Sequence, residues 1–234
     1  MARPITDLSF PITEDIGHSV EKREIALYQF VRRKAPALLI LGGMHGDEPK
    51  GVSLARYWLD LLIHDSELAR SLNWMIILAV NPDGLLRRKR RNSRQVDLNR
   101  NFPTRNWKLG SRQSRMYGGP EPASEPETRA VISVVESCRP NVILTLHSIG
   151  ANRYCNNYDG PARRLAHCLR RVNGYPVTKS IGYPTPGSFG TWAGIELGIP
   201  TITLELPSHH SPRICLEENR NILKALAATL KFAV

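Results

Sequence analysis

The sequence predicts an α/β fold, a mixed and mostly parallel twisted sheet with helices on both faces. Two observations carry this. Strand-length runs that are apolar throughout recur along the chain, as expected for strands buried on both faces. Segments with apolar residues at helical spacing alternate with them. The length of 234 residues fits a single domain spanning 1–234. A hydrophobic fraction of 41% is that of a globular chain able to build a core without disulfides.

Residues 37–43 (ALLILGG) form the first such apolar run, stopped by two glycines. Residues 51–63 then place Val52, Leu54, Ala55, Trp58, Leu59, Leu61 and Leu62 on one helical stripe. A second strand is expected over 74–80, closed by the turn signal NPDG (81–84). Ser124, Pro126 and Glu127 read as the start of a helix, with Ser124 as N-cap and Glu127 completing a capping box. Residues 142–146 are the third strand, 162–172 a helix with a basic outer face, 201–204 the fourth strand and 216–232 the closing helix. The intervening stretch 87–122 is long, polar and rich in Arg and Gly, the profile of a functional segment.

Charge and cysteine usage bound the function. Lys plus Arg number 32 against 21 Asp plus Glu, a formal charge of +11. Six basic residues fall in eight positions at 87–94 (RRKRRNSR), but no aromatic residue interrupts the run to stack a base and no recognition helix surrounds it. It therefore reads as a solvated loop that attracts small anions rather than a nucleic-acid site. Cys138, Cys155, Cys168 and Cys215 form no CxxC pair, which argues against a zinc knot or a disulfide framework. The first ten residues lack a secretory apolar core, and no apolar run approaches the ~20 residues of a membrane span. A cytoplasmic location away from the membrane is expected; no sequence feature indicates an oligomeric state.

Three strands run into residues able to bind a metal or move a proton. The first leads into GMHGDE (43–48), the third to His147 and the fourth to Glu205. Ligand crevices of open α/β sheets lie beyond the carboxyl ends of the strands, so these residues are expected to share one site. His45 and Glu48 stand three apart across a strand-to-helix join, with Pro49 suited to the first helical position. With His147 they make two His and one Glu, the ligand set of a catalytic zinc site that leaves a position for water.

Taken together, the motifs resemble the zinc carboxypeptidase family, the M14 peptidases, over nearly the whole chain. They are IGHSVEKREI (16–25, with Lys22 where glycine is usual), GMHGDE (43–48), NPDG (81–84), VDLNRNF (96–102), GPEPASEPET (119–128), LHS (146–148) and TLE (203–205). The resemblance implies one Zn2+ per chain held by His45, Glu48 and His147. It implies Glu205 as the catalytic carboxylate, general base toward the attacking water and then acid toward the leaving amine. It implies an arginine for the developing oxyanion, for which Arg90 is chosen among the neighbouring Arg87, Arg88, Arg91 and Arg94. Asn99 and Arg100 match the pair that grips the substrate's terminal carboxylate, and Tyr183 the tyrosine that closes over the substrate.

The short length, the GYPTPGSFGTW segment (182–192) and NFPTRNW (101–107) resemble the family's murein peptide amidase branch. That branch implies a small anionic peptide substrate, cut at its γ-D-glutamyl–meso-diaminopimelate bond during cell-wall recycling. The segment after His147 (SIGANRYCNN) is closer to general carboxypeptidases, which keeps a metallocarboxypeptidase of other specificity as an alternative. An acylase of the succinylglutamate desuccinylase or aspartoacylase type is the other enzyme alternative, and a non-catalytic binding module the third reading.

Overall fold

A computed structural model describes residues 10–32, 34–150 and 152–230. The N-terminal residues 1–9 and the expected end of the closing helix at 231–232 lie outside the described residues.

In chain order the strands are β1 (Ile12–His18), β2 (Glu24–Phe30), β3 (Ala37–Leu41), β4 (Asn73–Ile77), β5 (Val142–Ile149), β6 (Cys155–Asp159), β7 (Val177–Thr178) and β8 (Thr201–Pro207). The helices are α1 (Pro49–His64), α2 (Ser66–Ala69), α3 (Pro82–Arg87), α4 (Pro126–Cys138), α5 (Arg163–Asn173), α6 (Pro212–Asn219) and α7 (Ile222–Leu230). The strands form one sheet in the order β1-β2-β4-β3-β5-β8-β6-β7. Its centre, β4-β3-β5-β8, is parallel, and antiparallel pairs flank it at β1/β2, β2/β4 and β6/β8.

The period-2 alternation of the central strands explains the layering. Leu38, Ile40, Trp74, Ile76, Leu144, Leu146, Ile202 and Leu204 turn to one face and pack with Leu54 and Trp58 of α1, Leu169 of α5 and Leu223 and Leu226 of α7. Leu39, Leu41, Met75, Ile77 and Ile143 turn to the other, against Val131 and Val134 of α4, Phe102, Phe189 and Trp192. Each such fully buried side chain stabilises the fold by about 1.5–3 kcal/mol relative to exposure. Helices therefore do cover both faces, as the apolar strands predict.

Along the second face the sequence changes character. On β5 it runs Ile143, Thr145, His147, and on β8 Thr201, Thr203, Glu205. Apolar packing thus gives way to polar groups toward the carboxyl ends of the strands, and parallel pairing sets His147 beside Glu205.

Several elements depart from expectation. The NPDG signal is not a free turn: Asn81 caps α3 through a 2.8 Å bond from Gly84 N, with Pro82 in the first turn. Helix α4 begins one residue later than expected, with Glu125 as N-cap and no side-chain cap. The capping box fails because its members are engaged elsewhere. Ser124 Oγ accepts from Asn101 Nδ2 and donates to Glu125, while Glu127 accepts from Val20 N and Asn92 Nδ2. The closing helix is two helices, with Asn219 at the end of α6 turned inward to donate to Tyr175 Oη and Cys215 O. Lys22, where the family favours glycine, holds φ 65° in the β1–β2 turn, a conformation that costs a side-chain-bearing residue roughly 1–2 kcal/mol. No described helix is long and apolar enough to cross a membrane.

Candidate active site

The loop after β3 brings the first two residues in. Its Gly46 packs against the start of α3 so closely that a Cβ there would lie 1.9 Å from Gly84 C, which requires glycine. Glu48 is the N-cap of α1, yet its carboxylate makes no cap bond. It turns inward instead: Oε1 lies 2.9 Å from His45 Nδ1, and Oε2 2.9 Å from His147 Nδ1 and 3.0 Å from Ser148 N. The two histidine Nδ1 atoms are 3.1 Å apart. His45, Glu48 and His147 therefore direct three buried donors at one point, all within 4.8 Å of one another.

Asp97, to which the sequence motifs assign no role, sets the histidine tautomer. Its Oδ1 lies 3.0 Å from His45 Nε2, so that nitrogen carries the proton and Nδ1 presents its lone pair to the cluster. The same carboxylate accepts from Arg90 Nε at 2.9 Å and from Asn99 N at 3.0 Å. A divalent cation fits this donor set, since two imidazole nitrogens and a carboxylate converge on one point, where a cation would displace the proton that His45 otherwise holds toward Glu48. Burial opposes charge on His45, but Glu48 and Asp97 outweigh it and push its pKa up to about 9. Burial lowers that of His147, and Glu48 sits well below the usual carboxylate range because its histidine partners outweigh its desolvation. Replacing Asp97 by Asn is expected to weaken metal affinity about 10- to 100-fold, as loss of such outer partners does. Competition with a chromophoric chelator measures this, and unchanged affinity would show that Asp97 does not orient His45.

Glu205, buried at 6% exposure, lines the same cleft. Burial and the Glu48 charge raise its pKa to about 8. Among the six basic residues of 87–94, Arg90 is the one that lines this cleft, with its Nη1 3.4 Å from Glu48 Oε1. The others point elsewhere. Arg87 pairs with Glu21 and Ser93, Arg91 donates to Arg112 O and Ser114 O, Arg94 faces Glu125, and Arg88 ends α3 in a left-handed conformation.

Asn99 and Arg100 lie in a short 3-10 turn, Leu98–Arg100, inside the long polar stretch that the sequence marked as functional. Asn99 Oδ1 accepts from Phe189 N, so its NH2 is the end able to donate to a ligand. Arg100 is 3% exposed, its Nη1 donates to Asn99 O, and its Nε is buried with no partner among the described residues. Its backbone is clamped from both sides: a Cβ on Gly118 or Gly187 would lie 2.3 or 2.2 Å from Arg100 O. Burial depresses the Arg100 pKa, and Tyr183 beside it favours the charge. Tyr183 is half-buried, with the Arg153 guanidinium 5.7 Å over its ring. The cleft that joins these groups is about 510 Å³.

His45, Glu48, Arg90, Asn99, Arg100, His147, Tyr183 and Glu205 thus line one cleft. The zinc carboxypeptidase family model matches residues 10–160. The chain is 33% identical over 233 residues to murein peptide amidase A of Escherichia coli (strain K12), covering 95% of this chain and 90% of that protein. It is 37% identical over 181 residues to murein peptide amidase A of Vibrio campbellii, covering 72% and 68%. The crystal structure of murein-tripeptide amidase from Escherichia coli O157 matches with a TM-score of 0.72 at 29% identity, over 99% of this chain and 98% of that one. Bovine thrombin-activatable fibrinolysis inhibitor shares the fold, with a TM-score of 0.79 at 21% identity over 96% and 92%. The chain is a hydrolase and belongs to the zinc carboxypeptidase family.

Proposed function

We propose that the protein is a zinc-dependent carboxypeptidase-type amidase that releases meso-diaminopimelate from murein tripeptide by cutting the γ-D-glutamyl bond, in cytoplasmic cell-wall recycling. The observation that carries the reading is Arg100. A buried guanidinium with an unpaired Nε, sharing a cleft with the His45–Glu48–His147 cluster, calls for an anion at a defined distance from that cluster. A carboxylate meets that need through parallel charge-assisted hydrogen bonds. The murein amidase relatives support the choice of substrate, and the four free cysteines suit a reducing compartment.

In this reading Arg100 and the Asn99 NH2 hold the substrate's terminal carboxylate, which fixes the scissile amide between Arg90 and Glu205. One nitrogen each of His45 and His147 and the Glu48 carboxylate would hold the zinc, which when bound would supply Lewis acidity and lower the pKa of a water toward ~7. Glu205 takes the proton of the attacking water and returns it to the leaving amine nitrogen. Arg90 donates toward the carbonyl oxygen as negative charge builds on it. Tyr183 covers the terminal residue beside Arg100.

A product screen of synthetic peptides, with and without a chelator, tests this. Tripeptide L-Ala-γ-D-Glu-meso-diaminopimelate is expected to yield L-Ala-D-Glu and free diaminopimelate, and the chelator to stop it. Release only from α-linked peptides would instead make this a general metallocarboxypeptidase.

A further inference from the structure

The turn between β8 and α6 gathers a second set of donors that the bond-cleaving machinery does not use. His210, Cys215 and Glu218 each present a ligand atom within 4.8 Å of the other two, the same convergence that marks His45, Glu48 and His147. Among the described residues no third group of His, Cys, Asp and Glu converges in this way.

Local structure explains the convergence. Ser211 caps α6 by accepting from Ile214 N, which leaves His210 in the tight turn ahead of the helix, its own N–H donating to Pro207 O at 3.3 Å. Cys215 and Glu218 stand three residues apart on α6 and so share one face. His210 Nδ1 lies 3.2 Å from both carboxylate oxygens of Glu218. Nitrogen and oxygen ligands about 2.0–2.1 Å from one tetrahedral zinc stand about 3.3 Å from each other, so the pair is already at ligand spacing. Tyr175 Oη donates to Glu218 Oε2 at 2.5 Å and accepts from Asn219 Nδ2, holding the carboxylate from behind as outer partners of metal ligands do. Cys215 is 1% exposed, with its Sγ 3.9 Å from Pro207 O, while His210 and Glu218 are half-buried and leave the group open to solvent on their side.

Donor chemistry selects the ion. Thiolate and imidazole favour Zn2+ over Mg2+ or Ca2+, which take oxygen ligands. One sulfur, one nitrogen and one carboxylate, with water as the fourth ligand, make a tetrahedral zinc set. The spacing H-x4-C-x2-E holds a single cysteine and so lies outside the CxxC pattern by which a zinc knot is read.

We propose that His210, Cys215 and Glu218 bind a second divalent transition-metal ion of the Zn2+ class, separate from the catalytic cluster. The Cys215 thiol gives its proton to solvent as the sulfur–metal bond forms. The ion braces the turn 207–211 against α6, directly after the strand that carries Glu205. Lys50 Nζ holds the same turn from α1, through Pro207 O at 3.0 Å and Ser208 O at 2.6 Å.

Cobalt titration of the full chain, stripped of metal with a chelator and kept reduced, tests the site. A Co2+–thiolate bond gives a charge-transfer absorption that nitrogen and oxygen ligands do not. Wild type is expected to take up two equivalents of Co2+ and to show the band. His147→Ala, with the catalytic cluster broken, is expected to take up one equivalent and keep the band. Adding Cys215→Ser to His147→Ala is expected to remove both. His210→Gln, at a half-buried turn position, is expected to weaken the cobalt that gives the band at least about tenfold, and it decides the matter should Cys215→Ser fail to fold. Zn2+ should displace the cobalt and bleach the band, and Mg2+ should not. The Tm of His147→Ala should rise with Zn2+ concentration, and that of the double variant should stay flat. Were the catalytic cluster to bind nothing, wild type would take up one equivalent and still show the band, so the two readings fail separately. A band absent from wild type, unchanged in His210→Gln or surviving Cys215→Ser overturns the proposal. Survival would give the sulfur to Cys155, which pairs with Glu205 across β6 and β8.

Discussion

Glu205→Gln is expected to keep its metal and lose about 10²–10⁴-fold of its turnover, the range for removing a general acid–base. Gln is nearly isosteric with Glu, and β8 is locked by parallel pairing to β5 through the His147–Glu205 register, so the side chain should keep its place. The convergent donors belong to His45, Glu48 and His147, so nothing in the metal set changes. What changes is the atom that accepts a proton from water and passes it to the leaving nitrogen. His147→Ala supplies the contrast. It removes one of three donors and should empty the site, because two protein ligands rarely hold zinc. Metal analysis beside initial rates separates the two variants. Activity of Glu205→Gln above about a tenth of wild type would remove Glu205 from the proton-transfer role.

The parts of this site that were legible in the sequence are those whose signal is local. Strands β3 and β4 are buried on both faces and read as nearly unbroken apolar runs, while β5 and β8 are apolar on one face and turn threonines and site residues to the other. Polar strands carry no such periodic signal, for the opposite reason. β1 is an exposed edge (ITEDIGH), and β6 (CNNYD) spends its inward positions on the cleft rather than on the core. His45 and Glu48 are visible as a spaced pair, and His147 and Glu205 as polar residues ending apolar runs. That the last two are register neighbours is a fact of sheet order, which no short window contains.

Arg90 shows where spacing stops and tertiary structure begins. Five arginines crowd residues 87–94, and only their partners distinguish them: Arg90 has Asp97 and Glu48, while Arg87 and Arg94 have carboxylates outside the cleft. Asp97 lay inside a recognised motif but had no reason to stand out. Its role depends on His45, 52 residues earlier in the chain, meeting it 3.0 Å away.

The second large effect is expected at Arg100, and it depends on pairing rather than on the residue alone. If Arg100 and Asn99 hold the terminal carboxylate, amidating that carboxylate removes the charge and returns the guanidinium to its poorly paired state, with Nε again orphaned. Losing one partner of a desolvated, hydrogen-bonded charge pair costs roughly 2–5 kcal/mol, or about thirtyfold to several-thousandfold in kcat/KM. Arg100→Ala should cost a similar factor on the free acid. On the amide it should cost little more, because the contact is already broken. The double-mutant cycle therefore carries the result, and a coupling energy close to either single effect places the carboxylate on Arg100. The clamp of Gly118 and Gly187 acts on the Arg100 backbone, so truncating the side chain should leave the loop in place and the metal bound. Additive effects would mean that the carboxylate is anchored elsewhere. Arg153, which also lines the cleft and stacks on Tyr183, is the next cation to take through the same cycle.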